Sequence, residues 1–146
     1  FFKEPSPDRQ KLLKEESLGG ADDKDINIVQ ISTCGNMLAL AFGEIVRVYL
    51  LENLTARKGS PILQVFKYSS KVEYLEWMPR SESIPETELD YMLILESNNT
   101  MCLECIQEEK VITNPNLKVK YASFVGTRNL VIAVDLDNNI LALNPK

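Results

Sequence analysis

The chain has 146 residues and no histidine. Ser-His-Asp and Cys-His nucleophile arrangements are therefore excluded. The groups left that could do chemistry are cysteines and carboxylates. Cys102-Leu103-Glu104-Cys105 is a C-x-x-C motif. A structural zinc site wants two such pairs, or one pair with two histidines. On a strand, residues three apart point to opposite faces, so the two sulfurs diverge. They are expected in the core, where thiols behave as small apolar groups. Glu15-Glu16, Glu108-Glu109 and the pair Asp135 and Asp137 offer neighbouring carboxylates. A hydrolase needs two carboxyls converging in a cleft with their pKa values pushed apart. No spacing here singles out a pair, and each reads as solvated surface. Asp135-Leu136-Asp137-Asn138-Asn139 has acids at alternate positions, as a calcium loop does. It lacks the glycine and later glutamate of such a loop, and a hairpin turn accounts for it. No glycine-rich phosphate loop occurs. The expectation is no catalytic residue, no metal ligand, no cofactor and no enzyme activity.

Charge narrows the partners. The net charge is -5, with 16 basic against 21 acidic residues. Phosphate backbones need a positive face, so nucleic acid is not expected. Lys67 with Lys71, and Lys118 with Lys120, are small clusters flanked by acidic or apolar residues. No stretch reaches the ~18 apolar residues of a membrane span, so direct membrane insertion is not expected. The first ten residues, FFKEPSPDRQ, are polar and lack the apolar core of a signal peptide. An odd number of cysteines, Cys34, Cys102 and Cys105, fits a reducing compartment. An intracellular location, cytoplasmic or nuclear, is therefore expected. The sequons at Asn53-Leu54-Thr55 and Asn98-Asn99-Thr100 matter only in a secretory lumen. The chain opens on Phe1 rather than Met and is read as a piece of a longer protein.

The elements that position these residues are short. Residues 1–25 are polar, with Pro5, Pro7 and the pair Gly19-Gly20. They read as an extension or linker, with a possible short helix over 8–18. From Ile26 the runs become rich in Val, Ile, Leu and Tyr and are bounded by turn residues. Strands are expected over 26–32, 37–42, 45–51, 62–68, 72–77, 91–96, 101–107, 110–113, 118–124, 130–135 and 140–143. Cys34-Gly35-Asn36, Gly43-Glu44, Asn98-Asn99 and Asn138-Asn139 supply the reversals, since Gly and Asn tolerate the left-handed conformation of tight hairpins. Some strands, such as Met37-Leu38-Ala39-Leu40-Ala41-Phe42, are apolar on both sides. A sheet covered on one face alternates; continuous apolar runs imply cover on both. Tyr49, Phe66, Tyr68, Tyr74, Trp77, Tyr91, Tyr121 and Phe124 lie inside these runs and are expected to pack sheet on sheet.

Three segments line up with one another: INIVQISTCGNMLALAFGEIVRVYLLE from Ile26, KVEYLEWMPR from Lys71 with DYMLILESNNTMCLECIQ after a loop, and KVKYASFVGTRNLVIAVDLDNNILALNPK from Lys118. Lys71 and Lys118 are 47 residues apart, and Val29 and Val72 are 43 apart. Such a period is that of a four-stranded propeller blade. The modules are placed at about 26–70, 71–117 and 118–146, the last incomplete, with 80–90 as an insertion in the second. The fold class is all-β, a partial β-propeller of about three four-stranded antiparallel blades; a β-sandwich is the alternative.

The pattern resembles the WD40-like β-propeller superfamily over residues 26–146. Trp77-Met78-Pro79 looks like the Trp-Ser-Pro that often ends the innermost strand there. Arg47-Val48-Tyr49-Leu50 stands where the family often has a strand ending in Trp-Asp. The Gly-His and Trp-Asp pairs of regular WD repeats are absent. Degenerate propellers of this kind look like those opening large scaffold proteins of the nuclear pore, vesicle coats and tethers, and the kinetochore. The resemblance implies a non-catalytic protein–protein interaction scaffold within a larger intracellular complex, with other proteins as partners. The alternative is a substrate-binding central channel, with Ser32, Trp77 and Phe124 near it. Three blades do not close a ring, because propellers have about four to eight; further blades are expected from elsewhere.

Overall fold

The computed structural model describes residues 6–8, 10–11, 26–33, 35–56, 62–79, 89–108, 110–126 and 130–144. Most of the expected helix over 8–18, most of the insertion over 80–90, and Cys34 lie outside them. The strands in chain order are β1 (Ile28–Ile31), β2 (Met37–Phe42), β3 (Ile45–Leu50), β4 (Ile62–Lys67), β5 (Val72–Trp77), β6 (Tyr91–Glu96), β7 (Thr100–Cys105), β8 (Lys110–Phe124), β9 (Val131–Asp135) and β10 (Ile140–Leu143). One short helix, α1 (Leu51–Ala56), interrupts them. It begins where a strand through Leu51 was expected.

All pairings are antiparallel, as short connections require. The first sheet has the order β1-β2-β3-β4 and is the first expected module. The second has six strands in the order β10-β9-β8-β7-β6-β5. It contains the other two modules fused through β8, a single strand of 15 residues. Residues 110–113 of β8 pair with β7, and residues 119–124 pair with β9. The expected break between strands at 110–113 and 118–124 is thus absent. The border at 117/118 falls inside β8, and one pair, Thr100 with Lys118, crosses it. Pro115 lacks an N–H, but it falls within 114–117, which carry no ladder pairing, so it removes no ladder bond from β8.

The second module is covered on both sides. On β6, Met92 and Ile94 belong to one apolar core, shared with Ala39, Ala41, Val46, Val48 and Phe66 of the first module. Tyr91, Leu93 and Leu95 belong to the other, shared with Ala122, Phe124, Val131 and Ala133 of the third. All six residues of β6 are buried. The apolar run of β6 therefore reflects a sheet packed between two sheets, each face taking alternate residues. This stacking is the reason the strands do not alternate.

The modules repeat in register. Trp77, Phe124 and Ile31 occupy equivalent places at the ends of the first strands, paired with Met92, Val131 and Leu38. The turn after each second strand holds one left-handed residue: Gly43 at φ 57°, Asn99 at 67° and Asn138 at 67°. Glycine and asparagine are the residues that tolerate this conformation.

Candidate protein-interaction surface

Several polar side chains at the junctions between modules serve as clamps. At the junction of modules one and two, the Trp77 indole N–H donates to the Gln30 carbonyl at 3.1 Å. Asn27 bridges the same junction: its Oδ1 accepts from Gly43 N at 3.1 Å, and its Nδ2 donates to the Val72 carbonyl at 3.1 Å. Glu96, which is buried, takes the connector between the modules. Its Oε1 accepts from Ser69 Oγ and Ser70 N, each at 3.0 Å, and from Ser70 Oγ at 3.3 Å. Tyr68 donates to buried Glu104 at 3.0 Å.

At the second junction, Glu76 Oε1 accepts from Phe124 N at 3.0 Å, Ser123 Oγ at 3.2 Å and Tyr74 OH at 3.2 Å. Tyr74 is held above the usual phenol pKa, first by burial and then by the Glu76 carboxylate. Within the second module, Asp90 N donates to Gln107 Oε1, and Gln107 Nε2 donates back to Asp90 Oδ2. None of these acceptors was evident from spacing, because their donors lie up to 48 residues away.

The residues singled out for chemistry do not converge. Cys102 lies in the first core and Cys105 in the second, so the sulfurs do diverge. Cys102 Sγ donates to Glu96 Oε2 at 3.8 Å, and burial pushes the Cys105 thiol up. Asp135 caps its own turn: Oδ1 accepts from Asp137 N and Asn139 N, and Oδ2 from Asn139 Nδ2. The Asn139 backbone N–H and side chain hold its carboxyl below the usual range. The alternating acids there are a turn. Glu15, Glu16 and Glu109 lie outside the described residues. Among the described residues no group of three His, Cys, Asp or Glu is placed to hold a metal.

Ser32 is buried and turned into its own hairpin, accepting from Met37 N at 3.1 Å. Trp77 and Phe124 lie in different cores. The three form no polar channel site. Asn98 of the second sequon is exposed, and its Nδ2 donates to Ser69 Oγ.

Lys118 and Lys120 hold turns, donating to Thr100 Oγ1 at 2.9 Å and Asn138 Oδ1 at 2.6 Å. Lys67 and Lys71 do otherwise. They flank an open cleft of about 520 Å³ with Asn27, Phe42, Gly43, Glu44 and Ile45. No described carboxylate engages either ammonium. Phe42 and Ile45 make its apolar floor, and the Arg47 guanidinium lies 4.9 Å from the Phe42 ring centroid. A second hollow of about 320 Å³ lies between modules two and three, at Glu73, Tyr74, Leu95, Lys120, Tyr121 and Ala122.

No known family model matches the chain, and no curated protein matches it. Among solved structures it is similar to the WD40 domain of SCAP from fission yeast. The identity is 15%, the match covers 83% of this chain and 29% of that one, and the TM-score is 0.52. It also matches the β-propeller domain of Cps50 (Swd1) from Myceliophteria thermophila, at 16% identity, covering 83% of this chain and 41% of that one, with a TM-score of 0.48. The chain thus spans less than half the length of either. At such identity the first likeness shows the fold: a WD40-like β-propeller, of which the modules are blades. Among the described residues no helix is long and apolar enough to cross a membrane.

Proposed function

We propose that this WD40-like chain is a non-catalytic protein-binding scaffold, the propeller portion of a subunit in a larger intracellular complex. One observation carries the reading. Trp77, Asn27, Tyr68 with Glu104, Glu96 and Glu76 are committed to joining blades, while the cleft lined by Lys67, Lys71 and Glu44 keeps two ammonium groups over an apolar floor. A rigid stack presenting such a cleft suits a partner's acidic segment carrying an apolar side chain, because Coulomb attraction steers and apolar contact holds. The blades are assigned to 26–70, 71–117 and 118–146, after an N-terminal extension over 1–25. A cytoplasmic or nuclear scaffold of the nuclear-pore, coat, tether or kinetochore kind is part of the same reading. It is supported by the pattern of degenerate blades and by the odd number of cysteines.

The test is affinity capture of native partners with Lys67→Glu/Lys71→Glu, beside a variant lacking 81–88. Loss of at least tenfold in captured partner from the charge-reversed protein, with unchanged circular dichroism, is expected. Undiminished capture by both variants would refute the assignment to these surfaces. Localisation of the tagged protein to a secretory lumen would refute the intracellular setting.

A further inference from the structure

We infer that a second copy of this chain docks on the Lys67/Lys71 cleft through the tip of its β9–β10 turn, Asp135-Leu136-Asp137, in a two-fold, face-to-face dimer. The inference rests on the reading of that cleft as a partner site and names the partner. The cleft suits an acidic segment that carries an apolar side chain, and this turn is such a segment. Leu136 is 47% exposed. Among the exposed large apolar residues described, it is the one that stands in a turn with an acid on each side. The turn is already set. Asp135 accepts from the amides of Asp137 and Asn139 and from the Asn139 side chain, and Lys120 Nζ donates to Asn138 Oδ1. Docking therefore orders little new backbone. The Leu136 and Asp137 side chains take no part in these bonds and are exposed. Ser97 and Asn98 hold the same positions in blade two, since Asn99 N donates to the Glu96 carbonyl as Asn138 N does to that of Asp135. Both are exposed although blade three packs beside them. The tip position therefore clears a sheet stacked against its own blade.

Charge matches on the two sides. The cleft sets the Lys67 and Lys71 ammoniums and the Glu44 carboxylate around Phe42 and Ile45. The tip sets Asp135 and Asp137 around Leu136, with Lys120 alongside. Two ammoniums against one carboxylate leave the cleft positive; two carboxylates against one ammonium leave the tip negative. Opposite fields steer the encounter, and Leu136 then meets the apolar floor. Position fixes the symmetry. The cleft is built at Gly43 and Glu44, the turn after β2, and the tip is the turn after β9. These turns are equivalent in the repeat, so cleft and tip lie at the same end of the blades. Two copies that meet at this end across a two-fold axis place each tip over the other's cleft. Both contacts form in one complex, and the assembly closes as a dimer. A cleft and a tip at opposite ends would instead chain copies into a filament. Each contact is small, and the second forms at the high effective concentration that the first creates.

The test uses the full polypeptide that contains this chain. Sedimentation velocity in about 0.1 M salt should show a concentration-dependent dimer, weakened in about 0.5 M salt by screening. Monomer alone at about 100 μM protein, or growth beyond the dimer, overturns the inference. Leu136→Asn, which leaves every bond of the turn in place, should weaken the dimer about tenfold; wild-type affinity in that variant overturns it. Asp137→Lys and Lys71→Glu should each weaken self-association, because each damages both contacts of its own dimer. Mixed together, they should form a heterodimer of near wild-type affinity: one contact carries the exchanged charges and the other keeps the native pair. Failure of the mixture to associate overturns the pairing. Loss of native partners from Lys67→Glu/Lys71→Glu in a protein that is monomeric throughout overturns this inference and leaves the cleft a site for other proteins. A dimer that meets every term above, with capture of other proteins undiminished in that variant, supports this inference and sinks the wider assignment.

Discussion

Leu93 and Ile94 are adjacent on β6, both with 0% exposure, and they face opposite blades. Truncating either to alanine removes three carbons. At roughly 0.8 kcal/mol per buried methylene the transfer loss is about 2.4 kcal/mol. A cavity contribution is added because close-packed sheets relax only in part, giving about 3 kcal/mol within the 2–5 range for such changes. For a chain of this size that lowers Tm by roughly 6–12 °C. Differential scanning calorimetry gives the totals, and amide hydrogen exchange tells the two apart. Ile94→Ala should loosen β2 and β3, whose Ala39, Ala41, Val46 and Val48 it touches as part of one core. Leu93→Ala should loosen β9, through Val131 and Ala133. A loss below about 1 kcal/mol for either variant would mean that the residue is not enclosed between two sheets. Exchange effects on the same strands from both variants would refute the two-faced packing itself.

Trp77→Phe keeps most of the ring volume but removes the N–H to Gln30, so urea unfolding should show a loss of about 1 kcal/mol; no loss would mean the joint is not held by that bond. Asn138→Val forces a β-branched residue into the left-handed region and should cost about 1–2 kcal/mol by thermal melt, whereas Asn138→Gly should be the more stable of the two; the reverse order would refute the turn geometry. The Tyr74 phenol should ionise above its ordinary 10.0 in an absorbance titration, and Glu76→Gln should lower that midpoint without restoring it fully, since burial is the larger cause. Its folded value is raised, so its contribution to stability is complete below the unfolded value and is lost as pH climbs through the folded one. An unchanged midpoint in Glu76→Gln would separate the two groups.

What the sequence made legible was local. Runs of β-branched and apolar residues marked the strands, and Gly43, Asn99 and Asn138 are the left-handed turn residues where reversals were needed. Period-two geometry alone placed Cys102 and Cys105 on opposite faces. The continuity of β8 was hidden because Asn114-Pro115-Asn116 reads as a break; proline interrupts a ladder only where a ladder partner exists. Helix α1 was missed because Leu51 extends the apolar run of β3, and six residues are too few for a helical period. The clamps were illegible for a different reason. Glu76, Glu96 and Asn27 look like ordinary surface polar residues until distant strands are brought beside them, and that placement is tertiary.

The opposed thiols make the stack self-reporting. Cys102 lies sealed between blades one and two, and Cys105 between blades two and three. A bulky maleimide can reach the first sulfur only when one seam parts, and the second only when the other does. The order in which the two become labelled under mild denaturant would time the opening of each seam in the same molecule, with no engineered probe.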